Sequence, residues 1–197
     1  MQLLLKTMLK TKNIGLDFDD VIIDHTKTKI DFVKKIDIKI SPKQSLGDIL
    51  KKILNKQQYK ETKEYIYEKA TYSGKEQKDF RKYLNKLIKL GYKLFIISRR
   101  TSKISRKEAI KWLVASFPEI FSSRNIFFVD SDTEKYMICK KLKINIFIDN
   151  KPSVLKYLKS VEQKFLFNPF KISFDFNKNK IKTAYSWQDF FKKIGAK

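Results

Sequence analysis

One pattern constrains this chain more than any other: a short apolar run that stops at a polar or acidic residue, repeated five times. Residues 13–16 run into Asp17, 93–97 into Ser98, 126–129 into Asp130, 144–148 into Asp149 and 164–167 into Asn168. Each run is rich in Ile, Phe, Val or Leu, as a strand covered on both faces must be. Helical periodicity lies between them. Phe80, Leu84, Leu87 and Leu90 form one stripe over 77–90, and Gly91 follows as a stop. Similar patterns cover 105–117, 133–142 and 152–160, and a short terminal helix over 186–194 starts at Ser186 with Trp187 and Phe190 facing inward. Strand alternating with helix predicts an α/β, doubly wound parallel sheet of the Rossmann-like kind.

Residues 25–73 break the rhythm. They are Lys-rich, contain Pro42 and Gly47, and read as two or three amphipathic helices, with 46–54 and 60–70 the candidates. The expected division is a catalytic core from 1–24 and 74–197, with a helical insert at 25–73 over one edge of the sheet.

With 42% hydrophobic and 14% aromatic residues in 197, the chain can bury a core, which excludes a disordered tail or a disulfide scaffold. No apolar run reaches the ~18 residues of a membrane span, and the three leucines near the start are too few for a signal peptide. The single cysteine, Cys139, excludes internal disulfides and Cys-based zinc clusters. It falls on the apolar side of a helix, as a core residue. The expected compartment is the reducing cytoplasm. The formal net charge of +23 has two readings. Five arginines among 44 basic residues, with lysines spread along the chain, fit compositional drift. The same charge also fits a surface facing a polyanion, and it would draw in an anionic substrate either way.

In an open α/β sheet, ligands bind beyond the carboxyl ends of the strands. Three such ends carry Asp17/Asp19/Asp20, Ser98 and Asp149/Asn150. If they converge, their carboxylates repel, and a hard divalent cation with oxygen ligands is the usual compensation. With one His and no Cys pair, Mg²⁺ suits the donor set better than a transition metal.

These residues resemble the four motifs of the haloacid dehalogenase-like (HAD) phosphatase superfamily. GLDFDDVIID is similar to motif one and LFIIS, ending in Ser98, to motif two. Lys135 is placed like the motif-three lysine, and IFIDN at 146–150 resembles motif four. FNPF and SWQDF resemble bacterial relatives of the 5′(3′)-deoxyribonucleotidases. The resemblance implies five core strands in the order 5-4-1-2-3 and a small helical cap after strand 1. It implies a Mg²⁺-dependent phosphomonoesterase acting on a small phosphorylated metabolite, a nucleotide among the candidates. Asp17 would be the nucleophile that forms an aspartyl-phosphate, and Asp19 the general acid and then base. Asp17, the Asp19 carbonyl and Asp149 would hold Mg²⁺. Ser98 would donate to the phosphoryl group, and Lys135 would balance charge. The alternative is a nucleic-acid-binding or nucleic-acid-end-processing protein with this fold. No membrane partner is expected.

Two positions depart from the common pattern. Asn150 replaces a second acid at motif four and brings one less negative charge. Val21 stands where many phosphatases carry Thr, which leans toward the deoxyribonucleotidase branch. Arg99 and Arg100 suit a substrate phosphate, with a solvated loop as the other reading. Asp20 reads as a supporting or helix-capping residue, as do Asp130 and Asp132 before Thr133. His25 reads as structural. Tyr65, Tyr67 and Tyr72 read as packing residues, with stacking on a base the alternative.

Overall fold

The computed structural model describes residues 12–174 and 180–196; the leucine cluster near the start lies outside them. The five apolar runs become β1 (Asn13–Leu16), β4 (Lys93–Arg99), β5 (Ile126–Val129), β6 (Ile144–Asp149) and β7 (Gln163–Phe167). All pair in parallel, in the spatial order β5-β4-β1-β6-β7, which is the expected five-strand order. A sixth strand, β8 (Lys182–Ala184), extends the sheet beside β7. Three residues, KTA, carry too little pattern to announce a strand.

Side chains alternate between two buried faces, as the pleat requires. Leu94, Ile96, Ile146 and Ile148 pack with α4 (Phe80–Lys89), α5 (Lys103–Ser116) and α8 (Trp187–Lys193). Ile97, Phe147 and Leu166 pack on the other side with α6 (Asp132–Lys141) and α7 (Pro152–Tyr157). Cys139 lies in this second layer, fully buried, and burial pushes its thiol up to about 12. At the centre, Gly15 lets the Phe147 ring lie against the β1 backbone: a Cβ there would sit 2.3 Å from Phe147 Cδ2. The α4 stripe uses Tyr83 where Leu90 was expected; Leu90 is exposed. Gly91, at φ +80°, ends that helix. Trp187 donates its indole N–H to the Val21 carbonyl at 3.0 Å, tying α8 to the loop after β1.

Residues 26–73 leave and re-enter through a neck in which β2 (Ile23–Asp24) pairs antiparallel with β3 (Lys75–Glu76). Between lie α1 (Thr26–Lys34), α2 (Gly47–Ile53) and α3 (Lys56–Glu64). Val33, Leu50 and Leu54 form a small core of their own with Phe32, Ile36 and Tyr59 around it. The helix expected over 60–70 is really two: α3 ends at Glu64 and the chain continues as a π-helical turn over Tyr65–Lys69. Among the described residues, no helix is long and apolar enough to cross a membrane.

Candidate active site

After β1 the chain winds tightly. The Phe18 carbonyl accepts from the N–H groups of Ile22 and Ile23 at 3.0 and 3.2 Å, and Asp20 takes a left-handed φ of 62°. Asp17 is anchored to the neighbouring strand by its own N–H, which donates to the Ile148 carbonyl at 3.0 Å. Asp149 ends that strand, and Lys135 reaches both acids from the first turn of α6. Its Nζ donates to Asp17 Oδ1 at 2.9 Å and to Asp149 Oδ2 at 2.8 Å, and all three side chains are buried. Residues 118 and 14 positions apart in sequence thus meet at one ammonium.

Burial and the nearby Asp149 carboxylate push the Asp17 carboxyl up to about 6, against the opposing pull of Lys135. Burial works to strip Lys135 of its proton, but Asp149 and Asp17 outweigh it, so the ammonium is held charged well beyond its ordinary range.

A cavity of about 30 Å³ opens above this cluster. Asp17, Asp19, Ser98, Arg99, Lys135, Asp149 and Asn150 line it from the sheet side, and Gly47 and Tyr67 from the insert. The strand ends therefore converge. The volume admits a phosphoryl-sized group and is far below the ~300 Å³ where nucleoside-sized pockets begin.

Arg100 is a correction to the sequence reading. It is not free for a substrate phosphate: it is buried, with Nε and Nη2 donating to the two Asp19 oxygens at 3.1 and 2.6 Å. Its Nη1 donates to the carbonyls of Tyr67 and Ser105 at 3.2 and 2.7 Å. Its neighbour Arg99 does line the cavity, paired with Asp132 at 3.1 Å. Arg99 is the last residue of β4 and Arg100 the first beyond it, where the chain turns inward toward Asp19. Burial alone would raise the Asp19 carboxyl. Arg100, helped by a 3.1 Å contact from His25 Nε2, overrides this and holds it well below the usual carboxylate range.

His25 is fully buried, and its other ring nitrogen, Nδ1, has no partner among the described residues. Asp20 lines the cavity and caps no helix. Lys29 of α1 donates to both its oxygens at 2.7 and 2.5 Å, a buried ion pair between the insert and the β1 loop. The helix cap before Thr133 is Ser131, whose hydroxyl accepts from the Glu134 N–H. Asp130 instead pairs with Arg106 and Asp132 with Arg99. Tyr65 stacks on Phe32 at 4.5 Å, Tyr67 lines the cavity, and Tyr72 is exposed.

Among the described residues, no three His, Cys, Asp or Glu side chains gather in metal-holding geometry. A hard cation does not need three: Mg²⁺ commonly takes one or two carboxylates plus waters and substrate phosphate. Asp17 and Asp149 offer two. Beside them Asn150 Oδ1 is buried in the cavity wall without a hydrogen-bond partner, an oxygen left over for an ion or its water. The donors present fit Mg²⁺.

Residues 11–197 match the model of the family described as 5′ nucleotidase, deoxy (Pyrimidine), cytosolic type C protein. The chain belongs to this family. It is a HAD-like phosphatase. Solved structures similar to this nucleotidase-family chain include a HAD-superfamily hydrolase of subfamily IA from Geobacter sulfurreducens. It is 12% identical with a TM-score of 0.59, over 94% of this chain and 97% of that one. A haloacid dehalogenase-like hydrolase from Bacteroides fragilis is 17% identical, TM-score 0.61, over 89% and 99%. A dehalogenase is 13% identical, TM-score 0.61, over 95% and 98%. At such identities the likeness is one of fold. No curated protein matches.

The sequence reading missed Gly47 and Lys151 as cavity residues, and Tyr67, read there as a packing residue with base stacking as the alternative, lines the cavity. Lys151 directly follows IFIDN, a signal that was there to use. Gly47 and Tyr67 depend on how the insert folds back, for which the sequence carries no local mark.

Proposed function

We propose that this family member is a Mg²⁺-dependent phosphomonoesterase that acts on a nucleotide or a similar small phosphorylated metabolite through an aspartyl-phosphate. One observation carries the reading: Asp17 and Asp149 share the Lys135 ammonium at the mouth of a phosphoryl-sized cavity.

Asp17 Oδ attacks phosphorus, and the ester oxygen leaves as the new bond forms. Asp19 gives that oxygen its proton, then takes one from the water that hydrolyses the aspartyl-phosphate. Ser98 donates to a phosphoryl oxygen, and Arg99 stands beside it on the cavity wall. Lys135 keeps Asp17 ionised and in line, and offsets the charge that accumulates at phosphorus. Asp17, Asp149 and the Asp19 carbonyl would hold Mg²⁺, with Asn150 on a bound water. When present, the ion supplies Lewis-acid neutralisation of the phosphoryl oxygens.

Asp19 cannot donate a proton while Arg100 grips both its oxygens, so turnover requires that grip to loosen. The Arg100 guanidinium also holds the Tyr67 carbonyl, which couples Asp19 to the position of the insert. A cavity too small for a nucleoside likewise requires the insert to move before a nucleotide enters. We take 25–73 as a cap and 1–24 with 74–197 as the catalytic core, working in the cytosol.

Steady-state hydrolysis of p-nitrophenyl phosphate and of nucleoside 5′-monophosphates with Mg²⁺ tests the proposal. Wild type should turn over, and Asp17→Asn should fall to background. Equal rates would refute Asp17 as nucleophile.

A further inference from the structure

The lip of the cavity carries cations beyond the Lys135 that is bound to Asp17 and Asp149. In the reading above, Lys135, Ser98 and the strand ends would surround the reacting phosphate. Outside them stand Arg99 at the end of β4, Lys151 just after β6, and Lys63 on α3 of the insert. Arg99 and Lys151 line the cavity, and the Lys63 ammonium lies 5.8 Å from the ring centre of Tyr67, which also lines it. Arg99 pairs with Asp132 on the cavity wall. Lys151 and Lys63 have no carboxylate within ion-pair distance among the described residues, although carboxylates elsewhere in the insert do find partners.

Lysines are abundant here, and most are simply solvated. These three cations differ in arrangement. They come from three elements, two of them lining the cavity from the sheet side and the third beside Tyr67 on the insert. Burial lowers the Lys63 ammonium below its ordinary range, and the fields of Lys151 and Arg99 lower it further. Holding like charges together costs free energy that an anion placed between them would return.

We propose that the lip formed by Lys63, Arg99 and Lys151 binds a second phosphate-type anion, so that preferred substrates are phosphomonoesters carrying another phosphate group on the same molecule. The inference rests on the phosphomonoesterase reading above and adds the substrate class. The second anion has two sources: the other phosphate of a nucleoside bisphosphate, or the first phosphodiester of a 5′-phosphorylated oligonucleotide. The first phosphate sits over Asp17 and the second at the lip. No new bond-breaking step is involved.

The test compares thymidine 5′-monophosphate, thymidine 3′,5′-bisphosphate and a 5′-phosphorylated thymidine dinucleotide with Mg²⁺, each at low and high salt. At least one doubly anionic probe should exceed the monophosphate by about tenfold in kcat/KM at low salt, the compounded value of a few exposed ion pairs. The gain should lie in KM and shrink with salt. Which probe gains separates the two sources. Lys63→Glu and the Lys63→Ala/Lys151→Ala pair should abolish the discrimination. Calorimetric binding of the same probes to the Asp17→Asn protein reads the discrimination without turnover. Hydrolysis of p-nitrophenyl phosphate alongside equal kcat/KM and equal affinity for all three probes overturns this inference alone. Absence of any hydrolysis overturns the phosphatase reading, and the binding comparison then still decides this one.

Discussion

Arg100 holds Asp19 by both carboxylate oxygens, Nη2 to Oδ1 at 2.6 Å and Nε to Oδ2 at 3.1 Å, with the guanidinium fully enclosed. A planar fork on a carboxylate is the arrangement arginine makes and lysine cannot. Arg100→Gln leaves a buried carboxylate with only His25 beside it, and the expected loss is about 3–5 kcal/mol of stability. Arg100→Lys should recover part of that. Urea unfolding at pH 7 measures both, and a loss below about 1 kcal/mol for the Gln variant would mean the grip contributes little.

Among the described residues, Lys135 is the sole cation that both Asp17 and Asp149 touch. Lys135→Met brings two buried carboxylates together without it. In EDTA the variant should be destabilised by roughly 3 kcal/mol at pH 7, and the gap should narrow toward pH 5 as the pair takes up a proton. With Mg²⁺, turnover of p-nitrophenyl phosphate should fall by about 10²–10³. Thermal unfolding across pH and steady-state rates are the readouts.

Asp17 itself should cost the metal-free protein stability. Its folded carboxyl is raised from 3.8 to about 6, by burial first and by Asp149 second. Between those values the folded chain keeps a proton that the unfolded chain has lost, so stability falls as pH rises through the window and stays lowered above it. Asp17→Asn in EDTA should therefore be more stable than wild type at pH 7, by up to about 3 kcal/mol, and should match it below pH 4. An equally or less stable variant at pH 7 contradicts this.

Gly15 has a steric role beside the site. A methyl group there would meet the Phe147 ring at 2.3 and 2.5 Å. Gly15→Ala should cost about 1–3 kcal/mol through overpacking of the central strand. Adding Phe147→Leu should restore part of it, a coupling that a double-mutant cycle detects.

The sheet was legible because a strand buried on both faces must be apolar along its whole length, and the polar residue that ends it is where ligands bind. Asp17, Ser98 and Asp149 stood out for that reason. Lys135 is one lysine among 39 and became visible only through its place in the four-motif order. What escaped was tertiary. Arg100 and Arg99 are indistinguishable in sequence, and only the folded chain puts one at the cavity and the other on Asp19. The Lys29–Asp20 pair joins residues nine apart across the neck, with nothing local to mark it. β8 was missed because three residues carry no periodicity.

The two-stranded neck sets both crossings of the chain side by side, at Ile23–Glu76 and Asp24–Lys75. Whatever hangs from it closes a loop whose ends are already joined. Doubling the length of such a loop costs only about 0.6 kcal/mol of closure entropy. The sheet can therefore accept a larger, smaller or unrelated attachment at this junction with little thermodynamic resistance. Wholesale exchange of that segment, with the sheet untouched, is the evolutionary freedom this junction confers.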